Sequence, residues 1–478
     1  MTKFRIIILT LLPFISGLLY AQPVEPYISS LPKGSDLSIL VQSVGRNPKT
    51  LAKYKSNQFK QPASTQKVIT ALAAQLELGN DFRFITRIQT NGSISNKQLN
   101  GDLIIQLSGD PTFTRDRLKS MIATLSQKGI EKISGNVILD TSIFTSHDKA
   151  SGWSWNNLTA CYSAPPSAAI IDNNCFNATI IPGKVGSKAS VTVSSNTPII
   201  LTGDVRTIAA NSKDLNDKYC ELDVNYSDKN HYHLSGCIAV SSDKIPLKFA
   251  VIDSVEYFSK ILKNELKQKK IMYTGTIIER NQRTNAQLSL LASSQSAQLS
   301  ELLTVMLKKS NNLYADAIFR TLGAHYYNVQ GTWRNGGDAV KQILRKKAGI
   351  NLENLVIADG SGLSRLNLVS ADKLMEILQY IAANNTKLRI IEMLPIAGVD
   401  GTLQNRKSLN QAPFKETIRA KTGYIQGCYN LAGFIQKSEG EYVAFVQLLS
   451  GYQADNKGEP KNSAVMRFES EFYKNFIN

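Results

Sequence analysis

The sequence predicts an α/β fold in which a sheet flanked by helices is interrupted by β-rich inserted domains. Alternating apolar residues occur near both ends of the chain, and helical periodicity appears after Ser64 and again from Leu299 onward. Between about Phe82 and Val251 the pattern changes to short strands with turn-rich connections. The simplest arrangement is one α/β domain built from both ends of the chain, with the strand-rich region inserted into it.

The first residues, MTKFRIIILTLLPFISGLLYAQ, have the pattern of an export signal. Lys3 and Arg5 precede an apolar run and Ala21 is a suitable cleavage point, so residues 1–21 are predicted to form a signal peptide. Leu19 stands where a smaller residue is preferred, which leaves an uncleaved anchor as the alternative. No later run reaches about eighteen apolar residues, so we expect the exported chain to be soluble.

The remaining elements follow in chain order. The strands LSILVQSV and TLAKYK precede a helix near Ser64, and NGDLIIQL, GNVILD and ASVTVSS are predicted strands of the insertion. The helices SELLTVMLKKS and SADKLMEILQYIAANN come next, and then two strands, TIRAKTGYIQGCYNLAGFI and EYVAFVQLLSG. In the tail, Val465, Phe468, Phe472 and Phe476 recur at helical spacing, which favours a helix packed on its own domain over one lying on a membrane surface.

Composition excludes several classes of function. The formal net charge is +17, which favours anionic surroundings such as a membrane surface or an acidic polymer, or serves only to keep the protein soluble. No basic patch with interleaved aromatic residues has a motif spacing, so nucleic acid is not an expected partner. His231 and His233 share a strand face without a recognisable third ligand, so neither a metal site nor a cofactor is predicted.

Five cysteines in an exported chain suggest disulfides. Cys161, Cys175, Cys220 and Cys237 allow three pairings, and we favour the local pairs, Cys161 with Cys175 and Cys220 with Cys237. A loop of about fifteen residues closed in this way contributes roughly 3 kcal/mol in the chain-entropy model. Cys428, in the apolar segment GCYNLAGFI, is predicted to be a buried structural thiol.

The first candidate for chemistry is the pattern Ser-x-x-Lys, which places a serine and a lysine one helical turn apart. It occurs at Ser64 with Lys67, Ser146 with Lys149, Ser241 with Lys244, and Ser370 with Lys373. A serine at a helix start is normally a cap, because its hydroxyl accepts a hydrogen bond from a free backbone N–H. The pattern alone therefore does not separate a nucleophile from a cap.

Two further motifs complete the signature of penicillin-interacting serine enzymes. Lys-Thr-Gly occurs once, at Lys421, Thr422 and Gly423, in a strand pattern where a small residue lets the substrate backbone lie close. The segment MLKKSNNLYAD supplies Ser310 and Asn312 at the end of a helical run.

Chain order selects one serine. With Ser370 as nucleophile, the intermediate motif would be Ser408 to Asn410, only about a dozen residues before Lys421, which leaves little room for the intervening helices. Ser64 has correctly ordered partners downstream. Ser370 is therefore predicted to be a helix cap.

The segments PASTQKVITALAA, MLKKSNNLYAD, DGSGLSR and AKTGYIQGCYNLAGF resemble the low-molecular-mass class C penicillin-binding proteins. The resemblance is greatest to the type-four D-alanyl-D-alanine carboxypeptidase/endopeptidases of Gram-negative periplasms, and it continues through TSHDKASGWSWNNLTACYSAPPSAAIIDNNCF in the insertion. It implies a penicillin-recognising serine transpeptidase-like domain, residues 22–87 and 285–478. Inserted domain II would comprise 88–170 and 248–284, and nested domain III would comprise 171–247.

The chemistry suits these residue types. Ser64 would attack the carbonyl of a D-Ala-D-x bond and form an acyl-enzyme. Lys67, on the same helix face, acts as its base only when neutral, and burial next to another cation, for which Lys421 is the candidate, would lower its pKa.

The resemblance implies the remaining roles. Ser310 would pass the proton to the leaving amine, and Asn312 would position Lys67 and the substrate amide. Lys421 and Thr422 would hold the substrate's carboxylate, and the backbone N–H groups of Ser64 and Tyr424 would form the oxyanion hole.

One position departs from the relatives. Their counterpart of WSWNNLT tends to carry an aspartate where this chain has Asn157, and that acid is associated with binding the side-chain ammonium of diaminopimelate. Tyr162, Arg365 and Gln426 match other residues of that region. The alternative is that Asn157 is a loop residue without substrate contact.

The leading hypothesis is a periplasmic peptidase that cleaves D-Ala-D-Ala ends and D-Ala-diaminopimelate cross-links of peptidoglycan stem peptides and is acylated by β-lactams. A β-lactamase shares the motifs but has a short gap between the first two, whereas about 245 residues intervene here. A catalytically idle wall-binding protein is disfavoured because all three motifs are intact. Membrane association would be at most peripheral, and a homodimer stays open.

Overall fold

The computed structural model describes residues 21–211, 220–227, 229–241, 243–452 and 463–477. The predicted signal peptide, apart from Ala21, lies outside these residues. The α-helices are Glu25–Ile28, Gln66–Leu78, Arg115–Gln127, Ser254–Gln268, Leu299–Lys308, Asn312–Tyr327, Trp333–Ala348, Ala371–Ala383, Asn385–Leu388, Ile390–Met393 and Ser463–Tyr473. Within the described part of the chain, none of them has both the length and the apolar character needed to cross a membrane.

The strands are β1 (Asp36–Ser43), β2 (Thr50–Tyr54), β3 (Ile85–Thr90), β4 (Ser93–Ser95), β5 (Gln98–Asn100), β6 (Leu103–Gln106), β7 (Lys132–Ile133), β8 (Val137–Asp140), β9 (Cys175–Ile181), β10 (Ser190–Val193), β11 (Ile200–Gly203), β12 (Arg206–Ile208), β13 (Leu222–Ser227), β14 (His231–Ala239), β15 (Ile245–Ala250), β16 (Met272–Tyr273), β17 (Ile277–Arg280), β18 (Ser289–Gln295), β19 (Ile418–Ile425), β20 (Gly427–Ser438) and β21 (Glu441–Tyr452).

The main sheet combines both ends of the chain in the antiparallel order β19-β20-β21-β1-β2. β1 is buried on both faces, and its alternation distributes side chains between two cores. Leu40 packs with the Gln66–Leu78 helix on one face, whereas Ile39 and Val41 pack with the Ser463–Tyr473 helix on the other. This arrangement confirms the predicted α/β class.

The segment TIRAKTGYIQGCYNLAGFI forms a hairpin, so its prediction as one strand was wrong. Ile425 pairs with Cys428, which leaves Gln426 and Gly427 as a two-residue loop between β19 and β20. Gly427 has φ +85°, a conformation that glycine adopts without steric cost. Apolar residues continue on both sides of this loop, so the sequence pattern alone did not show the turn.

Within the described residues, the inserted region forms four further sheets. Their strand orders are β17-β8-β6-β3-β18, β16-β7-β5-β4, β10-β9-β15 and β11-β14-β12, with β13 paired to β14. One continuous core, which includes Ile105, Ile180 and Leu234, joins them.

The predicted domain boundaries run through hydrogen-bonded sheets. β18 pairs along β3, so breaks at residues 87/88 and 284/285 would cut one sheet. A break at 247/248 would likewise divide β15, which pairs continuously with β9. The hydrogen-bonded sheets instead keep Ile85–Thr90 and Ser289–Gln295 together with the insertion.

The C-terminal helix is part of the core. Val465, Phe468 and Phe472 are fully buried, and Phe476 is 5 % exposed. The prediction of a helix packed on its own domain is therefore confirmed.

The structure also settles the cysteine pairing. Cys161 is bonded to Cys175 and Cys220 to Cys237, which confirms the local pairs. Cys428 is a free and buried thiol, as predicted, and burial raises its pKa.

Candidate active site

Ser64 lies in a short 3-10 turn, Ala63–Thr65, that leads directly into the Gln66–Leu78 helix. Its hydroxyl does not cap that helix. Ser64 Oγ lies 2.8 Å from Lys67 Nζ, one turn further on. The structure therefore brings together the predicted serine and lysine.

Lys67 is fully buried and surrounded by oxygen atoms. Besides contacting Ser64, its Nζ donates to Asn312 Oδ1 and to the carbonyl of Ser361, both at 2.7 Å. Burial lowers the pKa of Lys67 to about 8, while the carboxylates of Asp316 and Asp359 oppose that shift. A buried amine with this pKa loses its proton far more readily than an exposed lysine.

Ser310 and Asn312 lie in the connection between two helices. The Leu299–Lys308 helix ends, Ser310 adopts φ +55°, and Asn311 caps the next helix by accepting from Tyr314 N–H. The Asn312 side chain spans the site, because its Oδ1 contacts Lys67 and its Nδ2 donates to the Tyr162 carbonyl at 2.8 Å.

Lys421 lies on β19, opposite Ser310. Its Nζ donates to Ser310 Oγ at 2.9 Å and to the Thr422 carbonyl at 2.8 Å. Burial lowers the pKa of Lys421 well below its usual value, and the charge of Lys67 lowers it further. Burial thus lowers the pKa of Lys67 as expected, whereas the charge effect between the two lysines acts on the pKa of Lys421.

The open edge of β19 faces the serine turn. Gln436 N–H donates to the Thr417 carbonyl, so hydrogen bonding to β20 continues at every second residue, up to Ile425. The alternate backbone groups, including the N–H groups of Thr422 and Tyr424, therefore point to the outer edge. Tyr424 N–H is thus directed as an oxyanion-hole donor would be.

Gly423 packs against the turn that carries Ser64. A Cβ at this position would lie 2.7 Å from the Pro62 carbonyl and 3.2 Å from Thr65 Cγ2. The glycine therefore admits this turn, a contact that the sequence did not predict, and the close approach of a substrate backbone stays a prediction.

The residues matched to the diaminopimelate region are partly brought together. Arg365 donates to Ser154 Oγ at 3.3 Å and to the Gln426 carbonyl at 3.2 Å. Asn157 lies in the same short segment as Ser154, in the 3-10 turn Trp155–Asn157, and its backbone N–H bonds the Ser154 carbonyl. Tyr162 is joined to the site through its carbonyl and Asn312.

Sequence reasoning missed the role of the buried acid Asp316, which lies near Lys67. Asp316 Oδ1 accepts from the backbone N–H groups of Gly360 and Ser361, at 2.9 and 2.8 Å, and so orients the Ser361 carbonyl towards Lys67. Burial, aided by Asp359, raises the pKa of Asp316 well above its usual value. Asp316 lies one turn after Asn312 on the same helix face, and that spacing was the available signal.

Asp359 and Asn430 were missed as well. Asp359 holds its loop by accepting from Trp153 Nε1 at 2.9 Å and Gly362 N–H at 2.7 Å. Asn430 donates to the carbonyls of Gln61 and Pro62, at 2.8 and 2.9 Å, and so ties β20 to the serine turn. An asparagine within the apolar pattern of β20 was the sequence signal.

No group of three or more His, Cys, Asp or Glu side chains in the described residues is arranged to hold a metal ion. His233 Nδ1 lies 2.9 Å from Thr202 Oγ1 and its Nε2 3.5 Å from Asp204 Oδ2.

Known structures contain the same fold. The crystal structure of penicillin binding protein 4 (dacB) from Haemophilus influenzae superimposes with a TM-score of 0.90 at 40% identity, covering 95% of this chain and 99% of that one. A second structure of that protein, complexed with a novel β-lactam, gives a TM-score of 0.86 at 38% identity, covering the same shares of the two chains. The fold and the site together define a serine-type peptidase with the penicillin-recognising fold.

The chain belongs to the D-Ala-D-Ala carboxypeptidase 3 (S13) family, which it matches over residues 21–472. It is 41% identical to the D-alanyl-D-alanine carboxypeptidase DacB of Haemophilus influenzae, over 94% of this chain and 93% of that protein. It is 27% identical to the D-alanyl-D-alanine carboxypeptidase of Actinomadura sp., over 82% and 73%. It is a serine-type carboxypeptidase, and the predicted resemblance is confirmed.

Proposed function

We propose that this enzyme hydrolyses both terminal D-Ala-D-Ala bonds and D-Ala-diaminopimelate cross-links of peptidoglycan through an acyl-enzyme on Ser64. The observation that carries the proposal is the 2.8 Å contact between Ser64 Oγ and Lys67 Nζ in a buried setting. The same contact supports acylation by β-lactams, whose ring amide would be opened by the same hydroxyl.

Lys67 is arranged to act as the base. A neutral amine has two N–H donors and one lone pair, and the oxygens of Asn312 and Ser361 accept two hydrogen bonds. The lone pair is then directed to the Ser64 hydroxyl and takes its proton as Oγ attacks the substrate carbonyl. The N–H groups of Ser64 and Tyr424 would stabilise the resulting oxyanion.

The second step expels the amine. The proton now on Lys67 is transferred through Ser310 to the leaving nitrogen, the C–N bond breaks, and the acyl group remains as an ester on Ser64. Water then hydrolyses this ester and regenerates the hydroxyl. The bond between Ser310 and Lys421 supports this path, because it holds the Ser310 hydroxyl in the site.

Substrate binding would redistribute charge between the two lysines. A carboxylate bound by Lys421 and Thr422 favours the protonated form of Lys421, and a charged Lys421 disfavours a second charge on Lys67. The substrate would therefore help to make Lys67 neutral. The D-Ala end and the cross-link both place a free carboxylate after the scissile bond. Both substrates would therefore help to make Lys67 neutral in this way.

We propose that the chain acts in the periplasm after removal of residues 1–21, on stem peptides of peptidoglycan.

The domain organisation is proposed from the sheets. The observed strand pairings support an insertion of roughly residues 85–295 into the catalytic domain. Strand β15 is kept whole with the nested sheet.

The test is incubation with a labelled penicillin, followed by peptide mapping of the adduct. We expect the label on Ser64 and its absence from Ser64→Ala. Label retained in Ser64→Ala would sink the assignment. Rapid turnover of the label would favour a β-lactamase, and failure to cleave a D-Ala-D-Ala peptide would favour an idle binding protein.

A further inference from the structure

A large open cleft begins at the Ser310 connection and runs to the inserted region. Its volume is about 740 Å³, within the range of known ligand sites. Lys309 and Ser310 line one end, and Arg115, Asn196 and Lys248 from the insertion line the other. It is thus a space that the connection between two catalytic-domain helices and the insertion form together.

This cleft differs from the diaminopimelate region described above. Asn157, Arg365 and Gln426 do not line it, and Tyr162 is the residue that the two share. Apart from Tyr162, the two regions are therefore lined by different side chains.

The lining of the cleft is cationic. Lys248 and Lys309 are exposed and form no salt bridge with another described residue. Arg115 donates to the Asn196 carbonyl at 2.9 Å, but its Nε is buried without a hydrogen-bond partner. Asp172, 3.9 Å from that Nε, is the acidic residue of the lining, so positive charge predominates.

Two helix starts lie at the cleft, and at one of them the Arg115 N–H already donates to Asp172 Oδ1 at 3.0 Å, so only the other is free to reinforce this charge. Arg115 is the first residue of the Arg115–Gln127 helix, and Asn312 is the first residue of the Asn312–Tyr327 helix. The N-terminal end of a helix carries partial positive charge, which favours anionic groups nearby. The cleft therefore suits an extended ligand that bears carboxylates.

The position of Ser310 identifies the ligand, an argument that rests on the proposed function. If Ser310 gives the proton to the leaving amine, the leaving group departs where the cleft begins. A single D-alanine would leave most of this volume empty. The leaving group of a cross-link is instead diaminopimelate within a second stem peptide, which carries several free carboxylates.

We propose that this cleft binds the second stem peptide of a cross-link and so favours cross-linked substrates over chain ends. Lys248 and Lys309 would attract its carboxylates, and Arg115, which is paired with Asp172, would add to the positive charge of the lining. The insertion would thereby contribute directly to substrate choice.

The test compares kcat/KM for a purified cross-linked muropeptide dimer with kcat/KM for a monomeric pentapeptide. Lys248→Glu should lower the dimer-to-monomer ratio of kcat/KM about five- to tenfold at low salt, because it replaces attraction by repulsion at an exposed site. Lys309→Glu should act in the same direction. Lys263→Glu, an exposed change of the same charge outside the cleft, should leave the ratio at the wild-type value.

The outcomes are separable. A wild-type ratio in both Lys248→Glu and Lys309→Glu would overturn the cleft assignment while leaving the D,D-peptidase function intact. An equal decrease in Lys263→Glu would show a general charge effect and would also overturn it. A wild-type enzyme that cleaves the pentapeptide but not the dimer would refute the cross-link part of the proposed function, and the cleft assignment with it.

Discussion

Two segments of this chain share the Ser-x-x-Lys pattern and have different surroundings. Ser64 contacts Lys67 Nζ at 2.8 Å, and that lysine is fully buried. Ser370 accepts from the backbone N–H of Lys373 and caps the Ala371–Ala383 helix, as predicted. The Lys373 side chain is 32% exposed and pairs with Glu376 at 2.7 Å.

The difference shows that the spacing supplies only proximity. Lys67 becomes a candidate base because burial lowers its pKa and because Asn312 and Ser361 accept from its N–H groups. Lys373 instead has solvent and the Glu376 carboxylate beside it, and its side chain does not contact Ser370 Oγ. Tertiary packing therefore assigns the chemistry that the motif only permits.

The largest expected effect comes from removing the two lysines separately. Lys67→Ala should lower the rate constant for penicillin acylation by about 10²- to 10⁴-fold, the usual contribution of a positioned base. Lys373→Ala should change it less than about twofold, because an exposed ion pair contributes little. Stopped-flow acylation kinetics measure both, and similar losses in the two variants would contradict the distinction.

The second prediction concerns Lys421, for which the Ser370 segment has no counterpart. Lys421→Ala removes a charge-assisted contact of about 1.5 to 3 kcal/mol. We expect kcat/KM to decrease by roughly 10- to 100-fold for both D-Ala-D-Ala peptides and cross-linked dimers. Loss of only one activity would show that the two substrates use separate determinants.

The third prediction uses pH. Below the pKa of about 8 Lys67 carries a proton and cannot accept another from Ser64, so acylation should accelerate as pH rises and level off above that value. The slope below it should approach about tenfold per pH unit. The measurement is the second-order acylation rate constant across pH. A constant value below pH 8 would contradict Lys67 as the base.

The fourth prediction concerns Asn157, whose side chain carries no charge, and its expected effect is smaller. Asn157 offers a neutral hydrogen bond, and an aspartate would offer a charge-assisted one, a difference on the order of 1 kcal/mol. Asn157→Asp should raise kcat/KM about fivefold for diaminopimelate-containing peptides at low salt. Peptides with an acetylated side-chain amine are the control. Equal effects on both substrates, or none on either, would mean that this residue does not read the ammonium.

The smallest effect concerns the cap itself. Ser370→Ala should retain the penicillin label and decrease the free energy of unfolding by about 1 kcal/mol, since one helix N–H loses its partner. Chemical denaturation measures the free energy of unfolding, and incubation with labelled penicillin shows whether the label is retained. A variant that lost its label while remaining folded would reopen the choice of nucleophile.

Much of this arrangement was predictable from the sequence. Apolar alternation located β1 and β2, and the single Lys-Thr-Gly motif, read in chain order, distinguished Ser64 from Ser370. The β19–β20 turn was missed because apolar residues flank it on both sides. The pairing of β3 with β18, which crosses the predicted boundaries near residues 87 and 285, joins segments far apart in sequence and was not visible in local patterns.

The support beneath the site was less predictable. Asp316 and Asp359 act through backbone groups of a loop, and their partners are defined only after that loop packs against the Gln66–Leu78 helix. Asn430 on β20 likewise donates to the carbonyls of Gln61 and Pro62, just before the serine turn. Such contacts depend on tertiary geometry, which periodicity does not report.

The order of strands in the main sheet has a consequence for biosynthesis. Asp36 and Ser450 pair across 414 residues of sequence, and β19, with Lys421, joins the sheet only through β20 and β21. Ser64 is therefore translated long before the strands that complete its site. The inserted region can fold first as a local unit, whereas closing the long-range sheet is intrinsically slow. A nascent chain thus carries its nucleophile without the lysine on β19, and its hydrolytic site is assembled only when the last tenth or so of the protein has been synthesised.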